Sequence, residues 1–416
     1  MKRILFSSLL FLFILSPLLA AQTPAEIELV ESIPVETSLD NPDIRNTLEV
    51  WLELIEGAHS TIDLEQFYLS HQAGESLDQV ITALQAAARR GVRVRILADA
   101  RMHKTYPVLI DSLGKWENIT ARLIDFGTLA GGIQHAKYMV IDGESLFIGS
   151  QNFDWRALTH IHELGIRIRS TQVVSIYQEL FELDWRLADG TPADTSRPVI
   201  QPRLYETPIR LLTSEYGPAI IQPTFSPRAL IPDTTLWCEE QIVRLLDGAQ
   251  REIALQFLSY SPRSRNGGAE DPLDGALRRA AARNVRVRLL VADWQKGSRA
   301  EAALKELAQL PNIEASFSVI PEWSGGYISY ARVEHCKYIL VDGEAFWLGT
   351  SNAARSYFHT SRNAGMTVRS APLVGRLLQI FNKSWESPYA ERIDPGASYA
   401  RSEEHTSELQ SRVDIS

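Results

Sequence analysis

Two short segments of this chain could do chemistry together. The first reads His135-Ala-Lys137-Tyr-Met-Val-Ile-Asp142 and is followed by Gly149-Ser150-Gln-Asn152. The second reads His335-Cys-Lys337-Tyr-Ile-Leu-Val-Asp342 and is followed by Gly349-Thr350-Ser-Asn352. The two histidines are 335 − 135 = 200 positions apart. A His-x-Lys-x4-Asp pattern arises by chance in about one chain of this size in fifty, so two copies with the same trailer are a built feature. On a strand, residues i and i+2 share a face, which points each histidine the same way as its lysine. Asp142-Gly143 and Asp342-Gly343 are strong two-residue hairpin signals. With those loops His135 is expected opposite Ser150, and His335 opposite Thr350, with Asn152 and Asn352 at the same end. Each half then offers one imidazole, one ammonium and one carboxamide.

Neither set is sufficient alone for cleaving a phosphodiester. One imidazole must attack phosphorus and form a phosphohistidine. The other must protonate the departing oxygen and later activate water. An ordinary imidazole pKa of ~6.5 suits both tasks. Lys137, Lys337, Asn152, Asn352, Ser150 and Thr350 are the candidates to hold the non-bridging oxygens, where charge grows in the transition state. With ammonium groups in that position, neither a metal nor any other cofactor is expected. Asp142 and Asp342, at the turns, read as structural residues of the motif rather than proton donors.

The surrounding elements repeat as well. Leu54-Ile-Glu-Gly57-Ala58 matches Leu245-Leu-Asp-Gly248-Ala249, and each leads into an apolar strand, 61–69 and 252–260. An amphipathic helix follows, with Leu77, Val80, Ile81, Leu84 and Ala88 on one face in the first copy. It ends at Gly91, where the second copy has Asn284, the two residues best tolerated in a left-handed C′ position. Val92-Arg-Val-Arg-Ile and Val285-Arg-Val-Arg-Leu are then buried strands. Strand, helix, strand in each half argues for α/β layers. The halves are expected at 22–187 and 236–395. Prolines at 192, 198, 202, 208, 218, 223, 227 and 232 mark 188–235 as a linker without a central strand, although Ile209-Arg-Leu-Leu could pair as a short edge strand.

The chain has 416 residues and a formal net charge of -9, so no overall basic charge advertises nucleic acid or anionic membrane. Residues 1–21 read as a signal peptide: Lys2 and Arg3, an apolar run over 4–19, then Ala20 and Ala21. The expectation is a periplasmic or secreted protein. Two cysteines, Cys238 and Cys336, do not make a disulfide framework; Cys336 reads as a core residue, with a Cys238–Cys336 bridge as the lesser option. Residues 401–416 look like a translated sequencing adapter, so His405 is given no role.

The paired motifs resemble those of the phospholipase D superfamily. Leu29-Val-Glu-Ser-Ile-Pro34, Asn152-Phe-Asp-Trp-Arg-Ala-Leu-Thr159, Tyr330-Ala-Arg-Val-Glu-His335 and Trp385-Glu-Ser-Pro-Tyr389 look like its lysosomal 5′-exonuclease branch, historically named phospholipases D3 and D4. The resemblance covers about residues 29 to 390. It implies two pseudo-symmetric α-β-α-β-α sandwich halves sharing one active site. It also implies 5′ exonuclease activity on single-stranded nucleic acid, with phosphatidyl transfer as a related activity. The lumenal cysteines of the animal members are largely missing, and Asp342 stands where that branch tends to carry Glu. In related enzymes a carboxylate after Gly-Ser-x-Asn fixes the nucleophile's second ring nitrogen, which implies that Glu163 orients His135. Its counterpart is Asn363, and the asymmetry favours His135 as nucleophile and His335 as acid. A phospholipid substrate stays open, since water or an alcohol can resolve the same intermediate, and so does a catalytically silent binding protein. No stable protein partner is expected.

Other residues receive plainer readings. Trp155 and Trp385 read as core packing rather than base stacking. His71, His103, His160 and His162 lack metal-ligand spacing and read as solvated or loop residues. Arg93, Arg95, Arg286 and Arg288 alternate with apolar residues and read as the polar face of a strand.

Overall fold

The computed structural model describes residues 25–190, 207–262 and 271–401. The expected signal peptide, most of the adapter-like tail and part of the linker lie outside the described residues. The first sheet holds β1 (Glu26–Ser32), β2 (Arg45–Asn46), β3 (Thr61–Gln66), β4 (Arg93–Asp99), β5 (Ile119–Ile124), β6 (Tyr138–Ile141), β7 (Ser145–Gly149) and β8 (Glu163–Arg169), in the order β2-β1-β8-β7-β6-β3-β4-β5. The second holds β9 (Ile209–Thr213), β10 (Gly217–Ser226), β11 (Glu252–Phe257), β12 (Arg286–Ala292), β13 (Ile313–Ser318), β14 (Tyr338–Val341), β15 (Ala345–Gly349), β16 (Asn363–Arg369) and β17 (Ala390–Arg392), in the order β9-β10-β16-β15-β14-β11-β12-β13-β17. The shared path, β1-β8-β7-β6-β3-β4-β5 and β10-β16-β15-β14-β11-β12-β13, is the expected duplication.

Helices α1 (Thr47–Glu56) and α2 (Leu77–Arg89) cover the outer face of the first sheet, with Trp51, Leu84, Leu64 and Phe147 in one core. Helices α4 (Cys238–Asp247) and α5 (Pro272–Ala282) do the same for the second, through Ile242, Leu277, Leu255 and Trp347. Between the sheets lie α3 (Thr171–Leu187) and α6 (Ala371–Trp385), whose apolar faces join the inward residues of both sheets in a single core. The layers therefore run α, β, α, β, α, and the halves meet in the middle one. Gly91 and Asn284 both follow their helices with positive φ, 91° and 67°, as the helix-end signal requires.

Two expectations need correcting. The proline-rich stretch is not only a linker: β9 is the foreseen edge strand, but β10 is an internal strand carrying Pro218 and Pro223. Pro218 pairs only with β9 and Pro223 only with β16. Residues of opposite parity point their N–H groups to opposite sides, so each ring can sit where no neighbour needs its missing donor. Secondly, the hairpins are longer than two residues. Ile141 pairs with Ser145 and Val341 with Ala345, so three residues separate the paired positions. Asp142 and Asp342 take positive φ, 54° and 57°, which Asp tolerates better than most residues.

Candidate active site

The extra loop residue shifts the register by one. With Tyr138 opposite Ile148, continuing the ladder would place His135 opposite Gln151, not Ser150. In fact the paired strand stops at Tyr138, Lys137 O still accepts from the Gly149 N–H at 3.3 Å, and residues 133–135 leave their own sheet. The His135 N–H donates to Arg362 O at 2.8 Å, and the Arg362 N–H donates to Ile133 O at 2.9 Å. On the other side His335 N–H donates to His162 O at 2.9 Å, and His162 N–H to Val333 O at 3.0 Å. Two short parallel bridges thus pin each histidine to the opposite half.

That exchange decides the side-chain partners. The expectation that Glu163 orients His135 is overturned. Both Glu163 carboxylate oxygens face His335 Nδ1, at 2.9 and 2.8 Å. The partner of His135 Nδ1 is Asn363 Oδ1, at 3.0 Å. The Asn363 amide is oriented by two further bonds: its Nδ2 donates to Tyr357 O at 2.8 Å, and its Oδ1 also accepts from Thr350 Oγ1 at 2.9 Å. An acceptor there requires His135 to carry its proton on Nδ1, which leaves the Nε2 lone pair free. Asn363 was not foreseen as a site residue. The signal was available, because it stands 200 positions after Glu163.

Electrostatics tie the four motif residues into one cluster. Burial, Lys137 and Lys337 hold His135 well below the usual imidazole value, against its bond to the Asn363 amide oxygen. Burial also lowers His335, but there the Glu163 carboxylate works in the other direction. Burial and then Lys337 push Lys137 well down; burial pushes Lys337 down to about 8, opposed by Glu163. Each ammonium donates to the carbonyl of its own histidine residue at 2.7 Å. The His135 ring also lies between Phe67 and Tyr357, each with its centroid 4.9 Å away. No sequence pattern distinguished those aromatics from core residues.

The remaining candidates separate. Asn152 and Asn352 are buried, and the amide oxygen of each lacks a protein partner, an acceptor left for water or a donor group of a ligand; a phosphate oxygen would take their Nδ2 donors instead. Ser150 and Thr350, expected to bind phosphate, are instead committed to the protein. Ser150 Oγ donates to Leu164 O at 3.3 Å and accepts from Leu164 N at 3.0 Å. Thr350 Oγ1 gives its one proton to Asn363. Asp142 accepts from the N–H groups of His59, Ser60 and Thr61 at 2.7–2.8 Å, and Asp342 from those of Gln250, Arg251 and Glu252 at 2.8–2.9 Å. Both are backbone clamps.

Trp155 is buried against the outer core, and Trp385 stacks on Phe381. Both cysteines are buried free thiols. His160 and His162, read as solvated or loop residues, are buried. Arg288 is not solvated either: it lies over the Phe381 ring and donates to Asn382. Among the described residues one group, His162, Glu334 and Cys336, has metal-ligand proximity, but His162 Nδ1 is already engaged by Glu334 at 2.7 Å.

The domain family described as "Cardiolipin synthase, PLD-like domain" matches residues 51–185 and 242–385. The chain is 30% identical over 407 residues to 5'-3' exonuclease PLD3 of Homo sapiens, covering 90% of this chain and 82% of that protein. It is 28% identical over 413 residues to phospholipase D Y of Dictyostelium discoideum, covering 88% and 92%. Its fold is shared with a solved phosphatidylserine synthase of Haemophilus influenzae, with a TM-score of 0.60 over 83% of this chain and 85% of that one, at 11% identity.

Proposed function

Because the chain belongs to the phospholipase D superfamily, and is thereby a phosphodiesterase, we propose that it is an exported 5′ exonuclease on single-stranded nucleic acid, working through a phosphohistidine. The substrate reading rests on its similarity to 5'-3' exonuclease PLD3 over nine-tenths of the chain. The mechanism rests on one observation, the unequal partners of the two histidines.

Burial and the two lysines hold His135 neutral, and the Asn363 amide oxygen, a weaker partner for a cation than a carboxylate, keeps the ring proton on Nδ1 and leaves Nε2 unprotonated. His135 is the nucleophile: Nε2 attacks phosphorus, a P–N bond forms and the P–O bond to the leaving group breaks. His335, whose protonated form Glu163 favours, gives its Nε2 proton to the departing oxygen. Neutral His335 then takes a proton from water, whose oxygen attacks phosphorus as the P–N bond breaks. Lys137, Lys337, Asn152 and Asn352 stabilise the charge on the non-bridging oxygens. The roles are those the resemblance implied, but Glu163 serves the acid rather than the nucleophile.

The deciding experiment offers the purified protein 5′-labelled single-stranded DNA and, in parallel, phosphatidylcholine vesicles. Stepwise mononucleotide release from the 5′ end is expected. Choline release without nucleotide release would favour the phospholipid reading, which the likeness to phospholipase D Y keeps in view.

A further inference from the structure

The pseudo-twofold relation reveals a second asymmetry, one layer beneath the histidines. Residue 134, before His135, is Gln, and residue 334, before His335, is Glu. Glu65 pairs with Tyr138, and its counterpart Gln256 pairs with Tyr338. Glu163 and Asn363 form the third such pair. At all three positions one half has a carboxyl where the other has a carboxamide, and all six side chains are buried.

Behind His135 the layer is close to neutral. Gln134 Nε2 and Tyr138 Oη donate to the two oxygens of Glu65 at 3.1 and 2.6 Å. Burial, and then Asp184, hold the Glu65 carboxyl well above the usual range. Asp184 itself is matched by Arg362, at 2.6 and 2.8 Å. Behind His335 the layer is an ion pair across the interface. His162 Nδ1 lies 2.7 Å from Glu334 Oε2, and Glu334 Oε1 accepts from the Cys336 N–H at 3.2 Å. The main chains of the same residues make the bridge that carries His335 and Glu163.

We propose that the His162–Glu334 pair is the positioning device of the proton donor: it clamps residues 333–335 onto 162–163, so that Glu163 keeps both oxygens on His335 Nδ1. This rests on the reading of His335 as the acid. A buried pair broken on one side leaves the other group uncompensated, so the clamp holds only while both members are present. The groups facing it are few. His162 faces Glu334, Glu31 of β1 and the adjacent Glu163; Glu334 faces His162, Gln256, Cys336 and Tyr338. Burial pushes Glu31 up to about 7, so its own titration must be separated from that of the site.

The test is a titration of 15N-histidine-labelled protein by NMR, in wild type, Glu334→Gln and His162→Gln, each also in a Glu31→Gln background. In both clamp variants the His335 pKa should fall, by on the order of one unit, because the carboxylate contact that favours its protonated form loosens. The His135 pKa should stay in place. The alkaline limb of kcat/KM on bis-p-nitrophenyl phosphate should move down with His335, and the acid limb should not move. Glu334→Asp should restore part of the shift. Unchanged histidine titrations in folded variants, or equal shifts at both histidines, would overturn the proposal. The titration and the small diester do not depend on the natural substrate, so a protein that ignores oligonucleotides would overturn the exonuclease reading and leave this one standing.

Discussion

Glu163 and His335 meet across the interface between the two halves, with both carboxylate oxygens within 2.9 Å of Nδ1, although they are 172 positions apart in sequence. The equivalent contact on the other side joins His135 to Asn363. Each histidine is therefore supplied by one half and oriented by the other, so neither half contains a complete catalytic unit.

A single shared site makes the histidines interdependent. His135→Ala and His335→Ala should each remove nearly all diesterase activity, and the double variant should be scarcely worse than either, as for residues acting as one unit. Steady-state rates of the three variants check this. About half of wild-type activity in either single variant would mean two independent sites.

The pH profile follows from the two imidazoles. His135 must be neutral and His335 protonated, and both titrate below the ordinary value of 6.5. Burial and the two lysines depress His135 furthest, whereas Glu163 partly restores His335. Activity should fall as pH rises through the His335 pKa, and again as pH falls through that of His135. A bell with its optimum below pH 6.5 is expected in kcat/KM. An optimum above pH 7.5 would refute the assignment.

Exchanging the orienting groups should move the limbs separately. Glu163→Gln removes the charge that favours protonated His335, so the alkaline limb should shift down and kcat fall by roughly 10-fold or more. Asn363→Asp adds a carboxylate to His135, which should raise its pKa and move the acid limb up. pH profiles of both variants, with melting temperatures as a control for folding, decide the matter.

Lys137 and Lys337 place cationic side chains beside His135, where a divalent cation would be repelled. Activity should survive prolonged dialysis against EDTA. A loss restored by a divalent ion would show that a metal shares the work.

Asp142 should matter for stability rather than chemistry. Burial raises its carboxyl pKa, but bonds from Thr61, His59 and Ser60 outweigh that and leave it lowered. Its contribution is therefore present above the usual carboxylate range and lost as pH falls through the folded value. Asp142→Ala leaves three N–H groups without their acceptor and should cost about 2 kcal/mol at pH 7, with kcat unchanged below the melting temperature. Urea denaturation at pH 7 and in acid would show a deficit that shrinks in acid.

Sequence alone determined what repeats and which groups could react. The 200-residue period, the two His-x-Lys pairs, the paired asparagines and the layered α/β architecture were all legible, because strand and helix periodicities are local and the motif recurs intact. The strand over 217–226 was not, since proline's cost depends on which neighbours a strand has. Nor were the partners of the histidines. The local ladder suggested that Ser150 and Thr350 face their own histidines, and resemblance assigned Glu163 to His135. The first failed because each hairpin holds one residue more than expected, and both because residues 133–135 and 333–335 leave their own sheets and bond to the opposite half. Which carboxylate meets which imidazole, and so which histidine gives a proton and which attacks, depends on contacts between residues far apart in the chain, and only the tertiary structure sets those.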